Sequence, residues 1–310
     1  PNRNMYYEIG TDLPKAGFDF YAGAGFLRPD SKTDSTAVNL FKLYEQEGYT
    51  VIRGMEEFTD KSGEAAKVIF IQEEGRDEGS LPYAIDRREG DLTLAQITEN
   101  AIQFLTRDND NGFFLMIEGG KIDWACHGND AATVFTEIVD MSEAVQKALD
   151  FYKQYPEETL IVITADHETG GIALGTGKYA LNLQALQYQN LSKDELTNAI
   201  QDLRKTKGNK VSWEDVKNLL GEKLGFWKEI QLNEEQEALL KKAYTSTFGS
   251  KKTEMEKNLY SENSRLSAEA IRILDSIAMI GWTSGGHSAG VVPVYAIGIG
   301  SQLFTGKLDN

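Results

Sequence analysis

The sequence is short of cysteine, histidine and positive charge. A single cysteine, Cys126, excludes an intrachain disulfide. It leaves the redox compartment open, because secreted chains without disulfides exist. Lys and Arg number 32 against 48 Asp and Glu, giving a formal net charge of −16 over 310 residues and a pI near 4.7. General binding to nucleic-acid backbones rests on clustered Lys and Arg that release counterions, so no nucleic-acid partner is expected. An anionic small substrate stays compatible if metal ions supply the positive charge that the side chains lack. No apolar run reaches the about 18 residues that mark a membrane-spanning helix, so no membrane span is expected. The opening residues, Pro1-Asn2-Arg3-Asn4, show neither an initiator methionine nor a signal-peptide pattern, which reads as a processed or truncated start.

What the chain does have is 41% hydrophobic and 10% aromatic residues, enough for one or two sizeable cores. From Gly17 to about Gly175, short apolar runs alternate with helical patterns, the sign of an α/β architecture with a mostly parallel sheet. Strands are expected at Asp19–Ala24, Thr50–Arg53 and Val68–Ile71. A helix is expected from Ser35, with Val38, Phe41 and Tyr44 on its apolar side, ending before Gly48. Thr93 and Gln96 form a capping-box pattern for a helix carrying Leu94, Ile97, Ala101 and Leu105. The continuous apolar runs Phe113–Ile117 and Leu160–Ile163 read as strands covered on both faces, separated by a helix with Val134, Ile138, Met141, Val145 and Leu149. A core helix at Leu266–Ile280 and a strand at Pro293–Gly298 close the chain. From Lys178 to Arg265 the composition turns polar and shows no strand pattern. Ser192 with Glu195, Ser212 with Asp215 and Asn233 with Gln236 are helix starts, so 178–265 reads as a helical insertion, a cap or a dimer contact.

The three histidines, His127, His167 and His287, all lie in Gly- or Asp-rich stretches. Asp123 and His127 are four residues apart, close enough for both to reach one ion. Asp166-His167 offers the same donor pair just past a strand, where open α/β sheets build their sites. Carboxylate plus imidazole is the donor set of catalytic zinc, whereas Glu118, at the end of the 113–117 run, suits a hard ion such as magnesium. Cys126 reads as a buried inert thiol rather than a ligand. The constellation suggests a multi-metal hydrolase.

The run Gly112-Phe113-Phe114-Leu115-Met116-Ile117-Glu118-Gly119-Gly120-Lys121-Ile122-Asp123, the following His127, and Thr164-Ala165-Asp166-His167-Glu168-Thr169-Gly170-Gly171 together resemble the metal-binding core of the alkaline phosphatase family. The likeness extends to 19–26, 81–87 and 303–306, and leaves out the 178–265 insertion. It implies an alkaline phosphatase-like α/β core over 1–177 and 266–310, incomplete at its N-terminus, and a parent hydrolysing phosphate monoesters with two zinc ions and one magnesium. Carried over residue by residue, it makes Asp123, His127 and His287 a complete first zinc set. Asp166 and His167 become part of a second zinc site, and Glu118 part of the magnesium site. It further implies affinity for inorganic phosphate, a homodimeric parent, and export to a periplasm or cell surface.

The family's nucleophilic serine, which attacks phosphorus to form a phosphoseryl enzyme, has no counterpart here; Ser284 and Ser288, beside His287, are rejected as substitutes. No catalytic nucleophile is therefore assigned, and the chain alone is expected to be inactive. Trp124, beside Asp123, reads either as a packing aromatic or as a wall of the substrate mouth. Two other readings stand beside the phosphatase: a metal-binding or interaction protein on the same scaffold, and a related two-zinc phosphodiesterase.

Overall fold

The computed structural model describes residues 2–77, 79–177, 179–249 and 255–307. The chain divides into two compact units, the first formed by 1–82, 87–118 and 140–159, the second by 83–86, 119–139 and 160–310. Architecturally it is mixed α/β.

In the first unit, a short helix α1 (Tyr6–Asp12) precedes β1 (Phe20–Gly23), α2 (Leu40–Gln46), β2 (Tyr49–Arg53), α3 (Gly54–Lys61), β3 (Lys67–Ile71) and α4 (Leu94–Thr106). The three strands make a parallel sheet in the order β1-β3-β2, with Phe20 and Thr50 both in register with Val68. Successive side chains of a strand point to opposite faces. Val68 and Phe70 accordingly pack with Phe58, Ile97 and Phe104, while Ile69 and Ile71 pack with Tyr44 and Tyr49. This central strand is buried on both faces, as a parallel strand requires.

The capping box of α4 is present, with Gln96 N–H donating to Thr93 Oγ1 at 3.0 Å and Thr93 N–H donating to Gln96 Oε1 at 2.9 Å. The expected start of α2 at Ser35 is corrected: its N-cap is Asn39, whose Oδ1 accepts from Phe41 N–H at 3.0 Å. Asp34 holds the preceding chain in a turn, its Oδ1 accepting from Thr36 N–H at 2.8 Å and its carbonyl from Ala37 N–H at 3.3 Å, so the helix starts only after it.

The expectation of a covered strand at Phe113–Ile117 is also corrected. The segment makes no ladder, and Phe114 and Met116 are 75% and 78% exposed. An apolar run becomes a strand only where a neighbour takes its backbone N–H and C=O groups, and among the described residues none does.

The second unit contains α5 (Gly120–Gly128), the start of α6 (Ala131–Gln154), β4 (Leu160–Ile163), β5 (Glu168–Thr169), β6 (Ala173–Leu174), α7 (Lys193–Lys207), α8 (Trp213–Leu224), α9 (Glu234–Phe248), β7 (Met255–Lys257), β8 (Glu262–Ser264), α10 (Arg265–Ile277), β9 (Ile280–Gly281), β10 (His287–Ser288) and β11 (Tyr295–Gly298). Its strand pairs are antiparallel: β4 with β11, β5 with β10, β6 with β9 and β7 with β8. β4 is thus a strand as expected, yet not a fully buried one, because β11 covers one edge while Leu160 and Val162 remain exposed.

The helical reading of 178–265 holds for α7, α8 and α9, and all three caps form, each N-cap side chain accepting from the N–H three residues on. One point differs from expectation: the segment carries strands, the β7–β8 hairpin, with Met255 opposite Ser264. Its helices also have a core of their own to join, since Leu196, Ile200, Val216, Leu220 and Leu240 pack in one cluster with Ala270, Ile271 and Leu274 of α10. Polar residues dominate its composition because only one stripe of each helix needs to be apolar. Lys178 and residues 250–254, which belonged to the same expectation, lie outside the described residues.

Candidate metal centre

Every group of the centre belongs to the second unit and reaches it from one of three short pieces of chain. Asp123 and His127 sit one turn apart on α5, where a spacing of four puts both side chains on one face. His167 and Thr169 come from the segment entering β5, and His287 from β10, whose register places it opposite Thr169. The turn after β5 locks these pieces together. Gly170 N–H donates to Gly286 O at 3.0 Å, and its own carbonyl accepts from Thr283 N–H at 3.0 Å and Ser284 N–H at 3.2 Å. Gly171 has φ +58°, and a Cβ there would come within 1.8 Å of Thr283 Oγ1, so only glycine lets the two loops approach this closely.

Three donor atoms form a small triangle. Asp123 Oδ1 is 3.5 Å from His127 Nε2 and 3.6 Å from His287 Nε2, and the two imidazole nitrogens are 3.1 Å apart. Zinc with ligands at about 2.0–2.1 Å in tetrahedral geometry separates its donors by about 3.3 Å. The triangle therefore has the dimensions of one face of a zinc tetrahedron. His167 also reaches the group, since one of its nitrogens lies with Asp123 and His287 donors inside 4.8 Å, and its ring stacks on His287 at 3.5 Å between centroids.

Hydrogen bonds fix the tautomers that an ion requires. His127, almost fully buried, has Nδ1 2.7 Å from the Gly285 carbonyl, so Nδ1 carries the proton and Nε2 presents its lone pair. Thr169 Oγ1–H donates to Asp123 Oδ1 at 2.5 Å, and the same oxygen accepts from His167 Nδ1 at 3.2 Å, which turns His167 Nε2 toward Asp166. Asp166 Oδ2 lies 3.1 Å from that Nε2, again a separation that one ion can span. Asp166 is highly exposed, and Glu118 is the exposed last residue of its stretch of the first unit; neither belongs to the triangle.

Trp124 packs with Tyr83, Ala125, Cys126 and Val134. It stacks on Tyr260 from the β7–β8 turn at 4.7 Å and 12°, with the Lys121 ammonium 4.4 Å from its ring centroid. Burial pushes the Cys126 thiol up to about 12, which keeps it protonated. Ser288 alternates with His287 and so points to the opposite face of β10, where its hydroxyl donates to Glu168; Ser284 Oγ–H donates to Gly286 O at 2.9 Å. Three contributors escaped the sequence reading: Thr169, the Gly285 carbonyl and Tyr260. Thr169, within the Asp-His-Glu-Thr run, had a signal in its position two residues past a ligand on a strand; Gly285 and Tyr260 had none.

Comparison with known proteins identifies the family. A profile of the alkaline phosphatase family matches residues 28–310. Alkaline phosphatase 3 of Bacillus subtilis is 31% identical over 90% of this chain and 54% of its own length, and the repressible alkaline phosphatase of Saccharomyces cerevisiae is 30% identical over 75% and 40%. Among solved structures, a cold-active alkaline phosphatase from a psychrophilic Shewanella superposes with a TM-score of 0.76 at 26% identity, over 99% of this chain and 66% of that one. A mutant of the enzyme from the Antarctic bacterium TAB5, solved with Mg bound in its M3 site, shares the fold at TM-score 0.56 and 23% identity, over 98% of this chain and 60% of its own. The chain spans about half the length of the curated relatives it matches.

Proposed function

Because the chain belongs to the alkaline phosphatase family, we propose that it carries the metal-binding part of a zinc- and magnesium-dependent hydrolase of phosphate monoesters. The triangle of Asp123, His127 and His287 supports this reading most directly, since its edges of 3.5, 3.6 and 3.1 Å suit tetrahedral zinc and the buried His127 presents an unprotonated Nε2. Asp123, His127 and His287 would hold a zinc ion that would supply Lewis-acid polarisation of a phosphoryl oxygen. The protein's part is positional: Gly285 O holds the His127 ring, and Thr169 holds Asp123 and His167 together. Asp166 and His167 are the proposed donors to a second zinc. Glu118 is proposed for magnesium on its hard-oxygen chemistry alone. Trp124, next along α5 from Asp123, is kept as a proposed wall of the substrate mouth. Export and a dimeric parent belong to the same proposal through family membership.

The hydroxyls of Ser284 and Ser288 are both turned to other partners. We therefore propose that the chain by itself binds zinc and phosphate without turning over an ester. Calorimetric titration of zinc into the chelator-stripped chain should reveal a site that His287→Ala weakens about tenfold or more. Equal affinity in both proteins would remove the metal assignment. With zinc and magnesium added at alkaline pH, a chromogenic phosphate monoester should stay intact; hydrolysis that His287→Ala abolishes would show that the chain has its own nucleophile.

A further inference from the structure

The residue that ends α5 is Asn129, whose backbone turns into the left-handed region with φ +49° and ψ +54°. Glycine, and after it asparagine, enters this region at least cost, and glycine is the commoner helix terminator. The backbone conformation alone therefore does not call for an amide. The amide has partners of its own: Nδ2 donates to Ser284 O at 2.9 Å and, less closely, to Cys126 O at 3.4 Å. Both partners are carbonyls, which turns the nitrogen of the amide toward them rather than its oxygen.

The stretch held in this way carries both the acceptor for one ligand and the next ligand itself. Gly285 O accepts from His127 Nδ1 at 2.7 Å, and His287 follows shortly after it in the chain. Gly285 and Gly286 are adjacent residues without side chains, the most permissive backbone a chain can have. A carbonyl in such a pair points where the residues around it are tied. On one side, Gly286 O accepts from Gly170 N–H at 3.0 Å. On the other, Ser284 N–H donates to Gly170 O at 3.2 Å and Ser284 O accepts from Asn129.

We propose that Asn129 is a positioning residue of the metal centre: by holding Ser284 it aims the Gly285 carbonyl at His127 Nδ1, which keeps the proton there and leaves Nε2 bare for a metal. The consequence for zinc rests on the metal reading of the triangle; the hydrogen bonds do not. The end of α5 keeps its place without the amide, because Asp130 Oδ2 accepts from Lys193 N–H at 2.8 Å and the Lys193 ammonium donates to Gly128 O. Both neighbours of Asn129 are thereby tied to α7. The influence of the amide on the centre runs instead through Ser284 and Gly285.

Asn129→Gly accepts the left-handed backbone and removes only the amide. With three histidines in the whole chain, each imidazole can be followed by nitrogen-15 NMR in the metal-free protein, at alkaline pH where imidazoles are neutral. His127 should be the Nδ1–H tautomer in the unmodified chain and a mixture of both tautomers in Asn129→Gly. Zinc, titrated in competition with a fluorescent chelator, should bind the variant about tenfold more weakly. Thr93→Ala, which uncaps α4 in the other unit, should change neither readout and so separates positioning from a general loss of stability. An Nε2–H tautomer of His127 in the unmodified chain would overturn the proposal before any substitution. A variant with an unchanged tautomer, or with unchanged zinc affinity, would overturn it as well. If the unmodified chain binds no zinc, the metal reading fails instead, and the tautomer comparison still decides the role of Asn129.

Discussion

The hydroxyl of Thr169 donates to Asp123 Oδ1 and accepts from His167 Nδ1, so one small side chain orients donors from two separate pieces of chain. Groups that hold ligands in place from outside the coordination sphere commonly change metal affinity by about 10–100-fold. Thr169→Val keeps the shape and β-branching but removes the hydroxyl. It should weaken zinc binding about tenfold in a competition with a fluorescent chelator, and Thr169→Ser should restore most of it. Zinc affinity unchanged in the valine variant would show that the hydroxyl is incidental. At this scale the sequence exposed what depends on local spacing. Asp123 and His127, four apart, were readable as a pair because α5 brings them to one face. The contribution of Thr169 depends on β5 meeting α5, 46 positions from Asp123 to Thr169, which no local pattern encodes.

Helix starts were legible for a related reason: a cap is built from residues three apart and satisfies its own backbone. Thr93, Ser212 and Asn233 all cap as their spacing predicts. Thr93→Ala removes the acceptor for Gln96 N–H and leaves that donor to water. It should lower the unfolding free energy by about 1 kcal/mol in urea titrations followed by circular dichroism. A loss below about 0.3 kcal/mol would mean that α4 is held by packing of Ile97, Ala101 and Phe104 alone. Strand environments were less legible. Phe113–Ile117 and Leu160–Ile163 announce surfaces that favour covering, but an apolar run does not say what covers it. The hairpin β7–β8 lacked the alternation that marks a strand, since Met255-Glu256-Lys257 and Glu262-Asn263-Ser264 are largely polar.

For the whole molecule, the acidic composition acts through a few buried carboxyls more than through the net charge of −16. Burial, reinforced by the nearby Asp130, raises Asp275 from its ordinary 3.8 to about 8, and burial raises Asp86 to about 6. Between those limits the folded chain holds protons that the unfolded chain has released. These groups therefore make stability fall as pH rises through the window, with no further loss above it. Asp275→Asn keeps an acceptor for Trp282 and removes the titration. Its urea midpoint should fall less than that of the unmodified protein between about pH 5 and pH 8.5. Parallel curves would place the proton elsewhere. The alkaline range in which the family is named is thus the range in which this fold carries its buried charge. One further consequence belongs to the metal triangle. With a lone cysteine the chain has no covalent tie of its own, yet His127 and His287 stand 160 positions apart with their nitrogens 3.1 Å from each other. An ion seated between them would be a reversible crosslink, fastened when metal is plentiful and undone when it is scarce, so that the supply of a trace element would bear on how firmly these two distant stretches of the chain are joined.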